Sequence, residues 1–446
     1  MKILVVGGDA AGMSAASQIR RRQPSWNVEV FEMGERTSYA LCGTPYYVGG
    51  LVGQLDDLVA ISPEEFERDR GIKVHTLHEA VSLSPARKCI TVKDLKTGAI
   101  RDESYDRLVL ATGAEPIIPV GLEPGPAGLF YLRSLDDASA LRQAALNAQK
   151  AVVVGAGYIG LELAENLISA GLAVTMLGRQ PAPTFEPELQ SLVSAALARG
   201  GVEFRGGVDA VGLTEQPGGG LRIATSRNDS VDCDLAVVGA GVRPRSRLAA
   251  EAGLELGVKK AIKVDRAQLT SNPFIYAAGD CAESFHLVNK NPTYIPLALG
   301  ANRQGRIAGQ QISGLNEKAP GVLGTSVMKV FDLALARTGL GLEEAINNGF
   351  PAALKTVIKQ PSKPHYYPGA SEVTALVVHD KTTGRLLGGQ LAGSVEGVGQ
   401  RINTLAAAIT AGFTVKEAAG LDTAYAPPFA PVFDPVVIAC EVAAKK

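Results

Sequence analysis

The chain has 446 residues, with 44 Lys plus Arg against 45 Asp plus Glu and a formal net charge of −1. That length predicts about three domains, and the near-neutral balance excludes a surface built for nucleic acid or an acidic membrane. With 46% apolar and 20% charged residues, the composition is that of a globular protein and not a disordered one.

In chain order, Ile3 to Val6 is a short apolar run of the kind a buried parallel strand shows. Gly7-Gly8-Asp9-Ala10-Ala11-Gly12 follows, then a small-residue helix from Met13 to Arg22 and a second strand from Asn27 to Glu32. The pattern returns later. Ala151 to Val154 leads into Gly155-Ala156-Gly157-Tyr158-Ile159-Gly160, a helix over about 161–170, and a strand from Ala173 to Leu177. Each reads as the first half of a dinucleotide-binding unit. Shorter apolar runs end in glycine turns at Thr112-Gly113 and Gly239-Ala240-Gly241, and a strand from Ile275 ends at Gly279-Asp280. Pro292 to Pro296 break the chain before a helix over about 297–312. Beyond about 325 the runs alternate like antiparallel strands, with a helix expected at about 398–412. Ala424 to Pro431 is too rich in proline for a helix or a central strand. The expected fold is α/β: two Rossmann-like dinucleotide-binding domains plus a C-terminal α+β dimerisation domain. The expected boundaries are 1–112 and 256–325 for the first, 113–255 for the second and 326–446 for the third.

Gly155, Gly157 and Gly160 form the full GxGxxG fingerprint between a strand and a helix. The first glycine permits the turn, the second admits a pyrophosphate, and the third lets helix and strand pack. The first fingerprint is imperfect, because Gly7 and Gly12 flank Asp9 where the middle glycine belongs. An acid there repels a pyrophosphate unless its side chain turns away. Glu32, 20 residues after Gly12, stands where an acid bonds ribose hydroxyls. The second unit lacks that acid and ends its strand in Gly178-Arg179, which favours the 2′-phosphate of NADPH over NADH; an exposed loop arginine is the alternative. Two such sites in one chain suggest FAD with NAD(P)H.

The five cysteines, Cys42, Cys89, Cys233, Cys281 and Cys440, include no CxxC, so neither a disulfide framework nor a zinc site is indicated. The five histidines show no metal spacing, and His75 and His78 are expected on a strand surface. The N-terminal apolar run is too short for a signal peptide and no run reaches 18 apolar residues, so a cytoplasmic protein is expected.

The order GGDAAG (7–12), LVLATGAEP (108–116), VVVGAGYIGLELAE (152–165) and IYAAGDCAE (275–283) resembles the pyridine nucleotide–disulfide oxidoreductases over nearly the whole chain. The segment Ser38-Tyr39-Ala40-Leu41-Cys42-Gly43-Thr44-Pro45 resembles the single-cysteine branch. That branch includes coenzyme A-disulfide reductases, CoA-dependent persulfide or polysulfide reductases, NADH oxidases and NADH peroxidases. The resemblance implies that Cys42 is redox-active beside the flavin. The position five residues on, which holds a second cysteine in the two-cysteine branch, is Tyr47 here. A lone thiol must cycle through a mixed disulfide, a persulfide or a sulfenic acid, and a positive or hydrogen-bonding environment is expected to lower its pKa.

By the same resemblance, Gly7, Ala11, Gly12, Glu32, Thr112, Gly113, Gly279, Asp280, Asn302 and Arg303 serve FAD. Gly155, Gly157, Tyr158, Ile159, Gly160, Glu162, Gly178 and Arg179 serve NAD(P)H, with Tyr158 covering the nicotinamide pocket. Tyr366-Tyr367-Pro368 and Tyr425-Ala426-Pro427 match the tyrosine segments of the CoA-disulfide reductases. Tyr367 and Tyr425 are therefore expected to act catalytically with Cys42 across a homodimer. Arg20, Arg22, Ser38 and Tyr366 are candidate contacts to the substrate, with the arginines, and Arg68 and Arg70, available to CoA phosphates. The peroxidase and oxidase branch usually carries a His in the first glycine loop, and here position 10 is Ala. The expected activity is thus reduction of a small-molecule disulfide, persulfide, polysulfide or CoA-linked substrate by NAD(P)H. The alternatives are an NAD(P)H oxidase with a Cys42 sulfenic acid and a flavin-bound redox sensor.

Overall fold

The computed structural model describes residues 1–446. Three five-stranded sheets organise the chain, two wholly parallel and one antiparallel. In the first parallel sheet, β1 (Lys2–Val6) lies between β2 (Asn27–Phe31) and a strand from Arg107 to Leu110; β3 (Lys73–His75) and a strand from Ile275 to Ala277 form the edges. Successive residues of β1 face opposite ways. Ile3 and Val5 pack with Ala16 and Ile19 of helix α1 (Ala10–Arg22). Leu4 and Val6 pack with Leu83 and Ile90 from a small antiparallel sheet spanning residues 78–104. Sequence reading did not anticipate that layer or its counterpart over 210–233. Its strands are short, polar at their outer positions and kinked by register shifts, which erase the alternation signal.

The second parallel sheet repeats the scheme. Helix α2 (Thr44–Val48) precedes it in the chain. Its strands are β4 (Leu129–Tyr131), β5 (Lys150–Val154), β6 (Ala173–Gly178), β7 (Glu203–Gly206) and β8 (Leu235–Val238), in spatial order β7-β6-β5-β8-β4. Helix α3 (Tyr158–Ser169) leaves its glycine turn three residues earlier than expected, so Tyr158 opens the helix. The chain passes to and from this sheet through two short strands, 114–116 and 242–244, that pair antiparallel with each other. Thr112 Oγ1 donates to the Arg245 carbonyl oxygen at 2.6 Å beside them.

Helix α4 (Ala298–Ile312) lies across α1 with almost no side chain between them. A methyl at Gly305 would stand 2.1 Å from the Ala11 carbonyl oxygen, and one at Gly309 would stand 2.7 Å from that of Ala15. The third sheet, over residues 326–393, is antiparallel. It is covered by α5 (Arg401–Ala411) and α6 (Pro435–Ala443). Its buried residues form one core with the second parallel sheet: Val153, Leu161, Leu335 and Leu376 belong to a single apolar cluster. The segment from Ala424 to Pro431 is irregular, as its prolines require. No helix is long and apolar enough to cross a membrane.

Candidate active site

A cleft of about 1500 Å³ opens where the glycine turns of both parallel sheets face the third unit. Ligands of such sheets bind beyond the carboxyl ends of the strands. Its turns are set by close backbone contacts. Gly7 has φ +107°, and a Cβ on it would stand 2.1 Å from the Ala111 carbonyl oxygen; a Cβ on Gly12 would stand 1.9 Å from the Gly7 oxygen. Gly155, with φ +103°, and Gly160 repeat this arrangement at 2.4 Å from the Gly239 oxygen and 2.0 Å from the Gly155 oxygen. Gly157 differs: no atom lies within 4 Å of its would-be Cβ, and it lines the cleft. It therefore leaves the open cradle that a pyrophosphate needs at a helix N-terminus.

Asp9, in the first turn, lines the cleft and is tied to the neighbouring loop. Its Oδ1 accepts the Tyr39 N–H at 3.2 Å, and burial raises its carboxyl to about 6. Glu32 holds the turn from behind, Oε2 accepting from Gly8 N–H at 2.6 Å and Oε1 from Gly34 N–H at 2.7 Å.

Cys42 sits in a single 3₁₀ turn, Leu41–Gly43, just before α2, and is exposed to the cleft. The other four cysteines are buried. The groups that this chain supplies around it act against the expected lowering of its pKa. Burial, together with the carboxylates of Glu162 and Asp280, raises the Cys42 thiol, and Arg133 alone opposes them. Arg133 is itself committed, Nη2 donating to Asp280 Oδ2 at 2.9 Å and Nε to the Ala114 carbonyl at 3.1 Å. Glu162 lies half-buried on α3 without a cation of its own; desolvation and the nearby Glu165 push its carboxyl up to about 7.

The structure brings Ala11, Ser38, Cys42, Gly113, Gly155, Gly157, Tyr158, Ile159, Glu162, Gly178, Arg179, Gly279, Asp280 and Asn302 to this one cleft. Tyr158 bridges two units, its hydroxyl 2.7 Å from Ser326 Oγ. Arg303 does not join them: it is exposed and lines a separate hollow of about 310 Å³ on the far side of α4. Arg20 is bound to backbone, donating to the carbonyls of Arg70 at 3.2 Å, Trp26 at 3.0 Å and Pro24. Arg22 is exposed, Arg68 pairs with Asp69, and Arg70 reaches Ser17. His75 is not a free surface residue, as it stacks on Phe31 and sits 2.7 Å from Glu29. No cluster of side chains is suited to a metal.

Residues 1–305 match the family model described as pyridine nucleotide-disulphide oxidoreductase, and residues 325–436 match the dimerisation domain of the same family. The chain belongs to the pyridine nucleotide-disulphide oxidoreductases. It is 37% identical to an NAD(P)H sulfur oxidoreductase (CoA-dependent) of Pyrococcus furiosus, over 99% of this chain and 98% of that one. It is 32% identical to a coenzyme A disulfide reductase of Staphylococcus haemolyticus, over 96% of each. An NAD-dependent persulfide reductase from A. fulgidus superposes with a TM-score of 0.95 at 35% identity, covering all of this chain and 83% of that one. The water-forming NADH oxidase of Lactobacillus brevis, bound to NADH, does so at 0.94 and 31%, covering 100% and 98%.

This oxidoreductase uses the cofactors of its family, FAD and NAD(P)H. The glycine cradles and the open face at Gly157 fit them. Sequence reading missed Arg133, the one cation that bears on the cysteine. Arg133 follows β4 in no recognisable motif and meets Asp280 across 147 positions, so only folding discloses it. Tyr366, Tyr367 and Tyr425 lie outside the cleft. Tyr366 and Tyr425 are 64% and 47% exposed, and within one chain they do not line the cavity at Cys42.

Proposed function

We propose that the protein reduces a CoA-linked disulfide, persulfide or polysulfide with electrons from NAD(P)H, and that Cys42 is the group that meets the substrate sulfur. The observation that carries this reading is that Cys42 is the one cysteine open to the cleft, with no second thiol beside it. FAD, when bound, supplies the relay of two electrons from nicotinamide to sulfur. Residues 1–112 with 256–325 would hold FAD, 113–255 NAD(P)H, and 326–446 the dimer contact.

Cys42 begins each cycle as a thiol, because its surroundings disfavour the anion. Glu162, whose carboxyl is pushed up to about 7 and which lines the same cleft, would take that proton. The thiolate attacks one sulfur of the substrate R–S–S–R′, the S–S bond breaks, and R′S⁻ leaves with the bonding pair. Two electrons then cleave the Cys42–S–R bond into two thiolates; R–S⁻ leaves as R–SH on taking a proton from solvent, and the Cys42 thiolate takes back the proton held by Glu162. The partner's Tyr367 and the partner's Tyr425 would donate hydrogen bonds to the departing thiolate. Tyr158 would gate the nicotinamide, and Glu32, Asp280 and Asn302 would hold the flavin nucleotide.

Likeness to the water-forming NADH oxidase favours a second reading, in which oxygen is the acceptor and Cys42 cycles through a sulfenic acid. Ala10, where that branch usually carries a histidine, speaks against it. Cys42→Ser should keep its flavin and its bleaching by NAD(P)H while thiol release from CoA disulfide falls to background under nitrogen. Undiminished thiol release would remove Cys42 from the mechanism. Oxygen uptake in air without thiol release in the wild type would select the oxidase.

A further inference from the structure

In dinucleotide-binding units an acid at the end of the second strand commonly holds the adenosine ribose. Here that strand, β6, ends in Gly178, and a Cβ on Gly178 would stand 3.2 Å from Ala156 Cβ and 3.3 Å from Ala156 N. The turn therefore leaves little room for a carboxylate of its own. One arrives from elsewhere. Asp209, which follows β7 by three residues, lines the cleft beside Gly178 and Arg179. Its carboxylate takes a forked contact from Arg179, with Nε at 3.0 Å and 3.3 Å from the two oxygens and Nη2 at 3.1 Å from Oδ2. Two bonds with Ser226 hold Asp209 in place: its N–H donates to Ser226 Oγ at 3.1 Å, and its carbonyl accepts the Ser226 N–H at 2.9 Å.

We propose that Asp209 is a specificity-determining residue for the pyridine nucleotide, exchanging Arg179 for the ribose of NAD(H) and opposing the 2′-phosphate of NADP(H). This rests on the reading of Arg179 as the 2′-phosphate ligand. The two side chains are 81% and 51% exposed, and exposed pairs of this kind contribute little and part readily. With NAD(H) in place, the carboxylate accepts the 2′-hydroxyl. With NADP(H) in place, Arg179 turns to the phosphate, and Asp209 is left as an uncompensated like charge beside it. The pair thus lets one site take both nucleotides while holding back the preference an unpaired arginine would impose.

Calorimetric titration of the FAD-loaded protein with NADP⁺ and with NAD⁺ tests this without turnover. Asp209→Ala should bind NADP⁺ about threefold to tenfold more tightly and NAD⁺ about threefold more weakly, in the range of exposed charge and hydrogen-bond contacts. Asp209→Asn, which keeps a hydrogen-bonding group without charge, should gain on NADP⁺ and hold NAD⁺. Arg179→Ala should weaken NADP⁺ by at least about tenfold and leave NAD⁺ unchanged. A ratio of the two affinities in Asp209→Ala within about twofold of wild type, with Arg179→Ala behaving as stated, would overturn the role of Asp209 alone. Unchanged NADP⁺ binding in Arg179→Ala would overturn the reading of the arginine itself.

Discussion

Two carboxyls in the cleft, Asp9 and Glu162, are raised because they are partly removed from water and meet other acids rather than a cation. For Glu162 the consequence for stability has a definite sign. Its folded-state pKa of about 7 exceeds the ordinary 4.5, so the native state binds the extra proton between those values. Stability is fully present below about 4.5 and falls as pH rises through 7. Glu162→Gln removes that loss. It should unfold like the wild type at pH 4 and be more stable by on the order of 3 kcal/mol at pH 8.5, as read from denaturant midpoints at the two pH values. Equal gains at both would mean that the carboxyl is not shifted. The same surroundings set Cys42, whose thiol is raised by burial and by Glu162. A nucleophilic role for it at neutral pH, as proposed, would then call for a proton acceptor nearby rather than a depressed pKa.

The loops that carry the tyrosines gain their position from one buried ion pair. Arg401, at the start of α5, donates from Nε to Asp434 Oδ2 at 2.6 Å, from Nη1 to the Gly397 carbonyl at 2.7 Å, and from Nη2 to the Ser362 carbonyl at 3.1 Å. Asp434 in turn caps α6 through the Val436 N–H at 2.9 Å. Ser362 precedes the Tyr366–Tyr367 loop and Asp434 closes the proline-rich Tyr425 segment, so one guanidinium ties both to α5. Removing one partner leaves a buried charge unpaired, which costs about 3–5 kcal/mol. Arg401→Met should lose about that much and lose disulfide reduction before it loses flavin. Disulfide reduction and flavin fluorescence followed side by side along a denaturant titration would check the order. Loss of flavin first would show that α5 supports the cofactor units instead. None of this was legible beforehand, since Arg401 reads in sequence as an ordinary polar helix residue.

At the scale of the whole molecule, the cleft of one chain contains the cysteine but not the tyrosines, while the third unit exposes Tyr366, Phe429 and Phe433 at 64%, 78% and 65%. Large exposed aromatics are the kind of surface an interface covers, and residues 325–436 match a dimerisation domain. If Tyr367 and Tyr425 act across a two-fold axis, each active site draws on two subunits. Hybrids joining a Cys42→Ser subunit to a Tyr367→Phe/Tyr425→Phe subunit then contain one intact site. Differently tagged and purified, they should show about half the wild-type rate although both parents are impaired. Activity no higher than the parental average would place the tyrosines in service of their own chain, or outside catalysis.

The sequence by itself determined the two glycine-turn nucleotide units, the third unit with an irregular proline segment, and the family. These depend on local constraints: a glycine where backbone approaches backbone, an apolar run where a strand is buried on both faces, prolines where neither helix nor sheet continues. Only the tertiary structure decided the electrostatics of the site. Arg133 meets Asp280, Arg179 meets Asp209, and Glu162 and Asp280 bear on Cys42 across long separations in the chain. Arg20 turned to backbone carbonyls and Arg303 to the far side of its helix for the same reason. A charge acts through the distance and dielectric that packing creates, and neither quantity is written in the order of residues.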